Sequence, residues 1–229
     1  MPKELKPSLT RILAERRFLF LMASILLLLA LSPLLDAFIG IQMLLNLFLS
    51  VILVSGIFAV SHKKYLKILA SLLALPMLVA IWTSYIVAEA PVVFLVGGVF
   101  GVLFFALISA VILSFIFKAK VITQELIYGS VVVYLCLGLM WGFIYISLEI
   151  LQPGSFALTS IQGDDLRNVF FYHSFVTLTT LGYGDITPLT NAARNYSILE
   201  SIIGQIYLTV LVARLVGMHI SQSMEKKSD

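Results

Sequence analysis

Residues 177–188 read TLTTLGYGDITP and lie between two long apolar stretches. Gly182 and Gly184 around Tyr183 make a poor helix and a poor strand, because glycine loses the most backbone entropy in either. The rest of the chain is the opposite: 60% of its 229 residues are hydrophobic and 12% are charged, with a mean hydropathy of +1.05. A soluble domain of this size cannot keep that much apolar surface from water, so the composition is that of an integral membrane protein. A glycine-punctuated break therefore falls at membrane depth. Irregular backbone is tolerated there only where it is buried in protein or lines an aqueous cavity.

A spanning helix takes about 20 apolar residues. The sequence predicts six, over 18–35, 38–60, 66–88, 92–117, 125–150 and 193–218, with Pro33 and Pro76 as positions that end or kink a helix. Residues 1–17 are basic and read as an interfacial helix capped by Ser8, followed by a first run of span length rather than by a signal core and cleavage site. Residues 118–124 read as a linker and 221–229 as a tail. Lysines and arginines at 3–17, 63–67, 118–120 and 226–227 place 12 of the 15 basic residues on one face. Asp36, Glu89, Glu149, Asp164, Asp165 and Asp185 fall on the other. By the positive-inside rule both termini face the cytoplasm of a multi-pass cell-membrane protein. An odd number of spans would destroy this sorting.

Residues 151–164 are polar and turn-rich, and LRNVFFYHSFVTLTT after them is apolar for only about a dozen residues, too few to cross. A re-entrant half-helix over 165–179 fits, with Asp164 or Asp165 as N-cap and its inward end near Thr179. Gly182 and Gly184 tolerate positive φ, so the backbone after it can alternate handedness and turn successive carbonyls to one side. A row of carbonyl oxygens replaces the water shell of a monovalent cation, and the Thr180 hydroxyl adds another oxygen. The C-terminal end of the half-helix favours a cation there. One strand cannot encircle an ion but four copies around an axis can, which implies a homotetramer.

Thr180-Leu181-Gly182-Tyr183-Gly184-Asp185 resembles the potassium-channel filter TVGYGD, with Leu181 for the usual Val. SFVTLTTLGYGDITP is similar to the pore helix and filter of voltage-gated-type and bacterial potassium channels, and LESIIGQIYLTVLVARLVG (199–217) to the inner helix of small bacterial channels. The resemblance covers about residues 125–220 and is only architectural before them. It implies an all-α membrane fold of six transmembrane helices with a re-entrant pore helix and a homotetrameric pore. The pore domain spans 125–220, with outer helix 125–150, pore helix 165–179, filter 180–185 and inner helix 193–218. Residues 18–117 form a sensor-like four-helix module. Permeant K+ is then bound at Thr180, Leu181, Gly182 and Tyr183, and Gly184 completes the filter.

Other residues have a place in this scheme. Thr179 ends the half-helix beneath the filter, and Asp185 at the outer mouth concentrates cations. His173 reads either as a packed side chain or as a hydrogen-bond partner of Tyr183 in a neighbouring filter. Glu200, in the outer third of the last span, needs a partner; Ser174, Thr177 and Tyr172 are in reach of the sequence argument. Gly204 is a candidate hinge or close-packing site. Gln205 and Tyr207 line the cavity or pack on the fifth span. Arg214 reads as snorkelling to the cytoplasmic surface or as an ion pair with Glu125 that ties the gate to the outer helix. The lone Cys136 is a core residue.

No Lys or Arg occurs between Lys67 and Lys118. Each gating charge would couple about 2.3 kcal/mol per 100 mV, so weak or absent voltage sensing is expected. The tail after Ile220 is expected to hold no ligand-sensing domain. The expectation is passive potassium-selective conduction by a homotetramer in contact with membrane lipid, with no cofactor besides permeant K+ and no soluble partner. A non-selective cation pore or a silent regulatory subunit is the alternative. Three scattered histidines and no paired carboxylates argue against an enzyme, and membrane-flanking basic residues against nucleic-acid binding.

Overall fold

The computed structural model describes residues 17–39, 41–60, 63–86, 91–158 and 165–228. Five long helices come first: α1 (Arg17–Ile39), α2 (Ile41–Ala59), α3 (Lys64–Ile86), α4 (Pro91–Lys118) and α5 (Gln124–Leu151). Then follow β1 (Phe156–Leu158), the short α6 (Leu166–Leu178), β2 (Ile186–Pro188) and the long α7 (Asn191–Ser228). Among the described residues five helices, α2 to α5 and α7, are long and apolar enough to cross a membrane. The helix α1 is apolar over Arg17–Leu31 and runs on to Ile39, so five of the expected six spans stand among the described residues beside one further apolar helix. The interfacial helix expected over 1–17 lies outside the described residues apart from Arg17, which opens α1.

Two stretches differ from the sequence reading. The polar stretch after α5 contains β1, paired antiparallel with β2 in the register Phe156↔Pro188, Ala157↔Thr187, Leu158↔Ile186. This ties the approach to α6 to the segment that follows the glycines. The expected tail at 221–229 is helical as far as Ser228. Gln222, Met224, Glu225, Lys226 and Lys227 are good helix formers, so loss of apolarity ends the span without ending the helix.

Small residues let α4 lie close between its neighbours. A Cβ at Gly97 would stand 2.8 Å from that of Ala80 in α3, and one at Gly101 would stand 3.0 Å from the Phe143 ring of α5. Backbone approach through small residues is the usual way membrane helices gain contact, since lipid offers no hydrophobic drive. Around this contact Phe104, Phe105, Phe143 and Phe171 stack or meet edge-on across α4, α5 and α6. α1 closes the other side, with Phe18 packed on Phe115 of α4 and on the flat face of Gly129 in α5.

One polar cluster crosses this core. Asp165 caps α6, accepting from the Arg167 amide at 2.8 Å, and its carboxylate also takes two bonds from the Arg167 guanidinium at 2.9 and 2.7 Å. The remaining arm of Arg167 donates to Asn46 Oδ1 of α2 at 2.5 Å. All three side chains are buried. Breaking a buried ion pair leaves an uncompensated charge and costs about 3–5 kcal/mol, whereas losing one hydrogen bond to a charged group costs about 1.5–3. Asp165→Ala is therefore expected to lower the thermal midpoint of the detergent-solubilised protein further than Asn46→Ala does, which thermal denaturation of the two variants checks.

Candidate functional site

α6 is 13 residues long, about 20 Å at ~1.5 Å per residue, against about 30 Å of bilayer hydrocarbon. Its buried face carries Val169, Phe170, His173, Ser174 and Leu178. Thr179 caps its end, its hydroxyl donating to the Phe175 carbonyl at 2.6 Å. The loop that follows has φ of +59° at Thr180, +56° at Gly182 and +80° at Gly184, while Leu181 and Tyr183 keep negative φ. The handedness thus alternates residue by residue. The amides of the first three loop residues fold back on the helix: Thr180 donates to the Thr177 carbonyl at 3.0 Å, and Leu181 and Gly182 donate to that of Val176 at 2.9 and 3.3 Å. Among the described residues no hydrogen bond ends on a carbonyl of residues 180–184. The sequence reading assigned positive φ to the two glycines; Thr180 joins them although its Cβ makes that conformation costly by about 1–2 kcal/mol.

The outer end of the loop is held from α6. The Tyr172 hydroxyl donates to Asp185 Oδ2 at 2.6 Å, and the Ile186 amide donates to Oδ1 at 3.1 Å. The tyrosine bond comes first among the causes that hold the Asp185 carboxyl below its usual range. The same bond pushes the Tyr172 phenol up to about 12. Tyr172 is thus a partner of Asp185 and not of Glu200, because it stands on the outward face of α6. Leu181 and Tyr183 are 55% and 67% exposed, and most of α7 is uncovered, with Ile206 at 58%.

Behind the loop α6 is seated on α5 and α7. Glu200 is fully buried. Its Oε1 lies 2.5 Å from Ser174 Oγ, and its Oε2 accepts from the Tyr145 hydroxyl at 2.5 Å. Ser174 was within the sequence reading; Tyr145, 55 residues upstream on another helix, was not. The bonds to Glu200 come from Ser174 and Tyr145 and not from Thr177, whose carbonyl takes bonds from Ser201 at 3.4 Å and from the Thr180 amide. At the lower end of α6, the Tyr134 hydroxyl donates to the Leu178 carbonyl at 3.1 Å. A Cβ on Gly204 would stand 2.8 Å from that same oxygen. Gly204 is therefore a close-packing site beneath the loop, in unbroken helix. His173 is 5% exposed, with its ring edge-on to Tyr145 and Phe156 at 5.1 and 5.2 Å. His173 is thus packed among aromatic rings, the first of the two readings the sequence offered.

Near the far end of the membrane span Tyr207 packs on α5, donating to the Ser130 carbonyl at 2.6 Å, while Gln205 is exposed. Arg214 departs from the Glu125 pair. Its guanidinium donates to the carbonyls of Ile116, Phe117 and Ala119 at 2.8–3.2 Å, closing the C-terminal end of α4. Unsatisfied carbonyls and the helix dipole together make that end a cation site. Glu125 lies in the first turn of α5, where a carboxylate faces the positive end of a helix, and close enough to Arg17 to feel its charge.

Residues 131–220, which hold α6, the loop and most of α5 and α7, match the family model described as ion channel. Over 65 residues the chain is 35% identical to "Two pore potassium channel c" of Oryza sativa subsp. japonica, a match covering 28% of this chain and 14% of that protein. The chain thus matches about a seventh of the length of that relative. No solved structure matches the chain.

Two outcomes follow from the seats of α6 and α4. Gly204→Ala, pushing against the Leu178 carbonyl, is expected to destabilise the protein by about 1–3 kcal/mol, measured as a fall in thermal midpoint. The double exchange Arg214→Glu with Glu125→Arg is expected to be no more stable than the worse single variant, because Arg214 is held by carbonyls; recovery of the wild-type midpoint would instead reveal a direct pair.

Proposed function

We propose that four copies of this chain form a potassium-selective channel that conducts passively down the electrochemical gradient. The observation that carries the reading is the alternation of positive φ at Thr180, Gly182 and Gly184 with negative φ between them. With three amides turned back to α6, the carbonyls of Thr180, Leu181, Gly182 and Tyr183 are free to face an axis, where they stand in for the hydration shell of K+. α6 is then the pore helix, α5 and α7 the outer and inner helices, and Asp185 a cation-concentrating group at the mouth. The exposed Leu181 and Tyr183 and the bare face of α7 support assembly around that axis, where copies would cover them. The printed name of the rice relative supports potassium as the ion.

α1 to α4 stand where a voltage sensor would, without its charges. Close packing of α4 on α5 through Gly101 further supports a fixed module rather than a moving one. The charge sorting supports cytoplasmic termini.

Flux from proteoliposomes holding only the purified protein tests the reading, beside Gly182→Ala, which puts a Cβ on a left-handed residue. Potassium flux is expected to exceed sodium flux and to vanish in the variant. Equal fluxes would mean a non-selective cation pore shaped by Leu181. Absence of flux would overturn self-sufficient conduction and leave the chain as a silent subunit of a related channel.

A further inference from the structure

Three oxygen–oxygen contacts meet behind the loop, and together they need one proton more than the hydroxyls supply. The first joins the Tyr145 hydroxyl to Glu200 Oε2 at 2.5 Å. The second and third run from Ser174 Oγ, 2.7 Å to the Gly138 carbonyl oxygen and 2.5 Å to Glu200 Oε1. Contacts of that length need a proton between the oxygens, since facing lone pairs repel. Tyr145 and Ser174 each carry one hydroxyl proton and the carbonyl carries none, so the third has a single source. We propose that Glu200 is a neutral carboxyl that donates from Oε1 to Ser174, which leaves the Ser174 hydroxyl to donate to Gly138 and pin α6 to α5.

The surroundings agree with the count. Among the described residues no lysine or arginine bonds Glu200. The titratable groups facing it from α5 are Tyr145 and, further off, Tyr134. From α6 there is His173, whose ring stands edge-on to Tyr145, with Asp185 beyond it. On α7 itself the nearby Ser197 is engaged with the Ala193 carbonyl. A carboxylate here would be fully buried at membrane depth with no counter-charge, which is strongly disfavoured.

Glu200 is thus a positioning residue. When it loses its proton, two protons remain for three contacts; Ser174 turns to the carboxylate and its bond to Gly138 breaks. The loop amides hang from Val176 and Thr177, in the turn just after Ser174, so the break loosens what carries the loop. The effect on conduction rests on the channel reading; the protonation itself does not.

The test is infrared spectroscopy of the purified full chain in lipid, with Glu200→Gln as the variant that keeps one donor and one acceptor yet cannot ionise. At neutral pH the wild type is expected to show a protonated-carboxyl carbonyl band that shifts on 13C-glutamate labelling and is lost in the glutamine variant. At alkaline pH the wild type is expected to lose that band and lower its thermal midpoint together, while the variant keeps its midpoint; K+ flux should fall with the wild-type midpoint. Absence of the band at neutral pH overturns the proposal, and so does a variant midpoint that falls in step with the wild type. Should the variant not assemble, the labelled wild type alone decides the first arm. A titrating band in a protein that never passes K+ would uphold the proton assignment and count against the channel reading.

Discussion

Backbone that leaves regular structure at membrane depth has to satisfy its N–H groups within the protein, and here three successive amides return to the last turn of α6. The position of the loop is therefore the position of α6. The helix is fastened at three heights: Asp165, Arg167 and Asn46 hold its start, Ser174 its middle, and Tyr134 and Gly204 the Leu178 carbonyl at its end. The first fastening reaches α2, and the other two reach α5 and α7. A short half-helix with few turns of its own thereby gains a fixed place from its neighbours rather than from its own hydrogen bonds.

α1 to α4 contribute in two ways. α1 and α4 pack against α5, and through Asn46 α2 reaches the first turn of α6. Arg214 adds a link at the other face, from α7 to the end of α4. The Asn46–Arg167 link is buried, and in that setting an unmet partner costs more than the bond gains. The first four helices are thus joined to the carboxy-terminal half through both α2 and α4.

The membrane class, the long helices and the irregular loop were legible in the sequence because they rest on short-range properties: hydropathy over about 20 residues and glycine's freedom at 182 and 184. Asp165, one of two N-cap candidates, was legible as local spacing at the start of one helix, and Ser174 was one of three partners offered for Glu200 from the next helix along the chain. Tyr145 and Asn46 were not, because each meets its partner only after distant helices pack; a lone Asn or Tyr in an apolar run carries no signal of what it will face. The acceptors of Arg214 were not legible, because they are backbone carbonyls that every residue possesses. The helical stretch to Ser228 was missed because hydropathy marks where a membrane ends, not where hydrogen bonding does.

That last stretch has a mechanical side. Past Arg214, α7 continues to Ser228, about 20 Å of helix at ~1.5 Å per residue, with Leu215 and Met218 still packed against the core. Such a rod is a lever: a tilt of about 10° at its root moves its far end by about 4 Å over that length. The leverage runs both ways. A load at the tip falls on the Leu215 and Met218 contacts and on the Arg214 anchorage together, and so reaches the backbone end of α4.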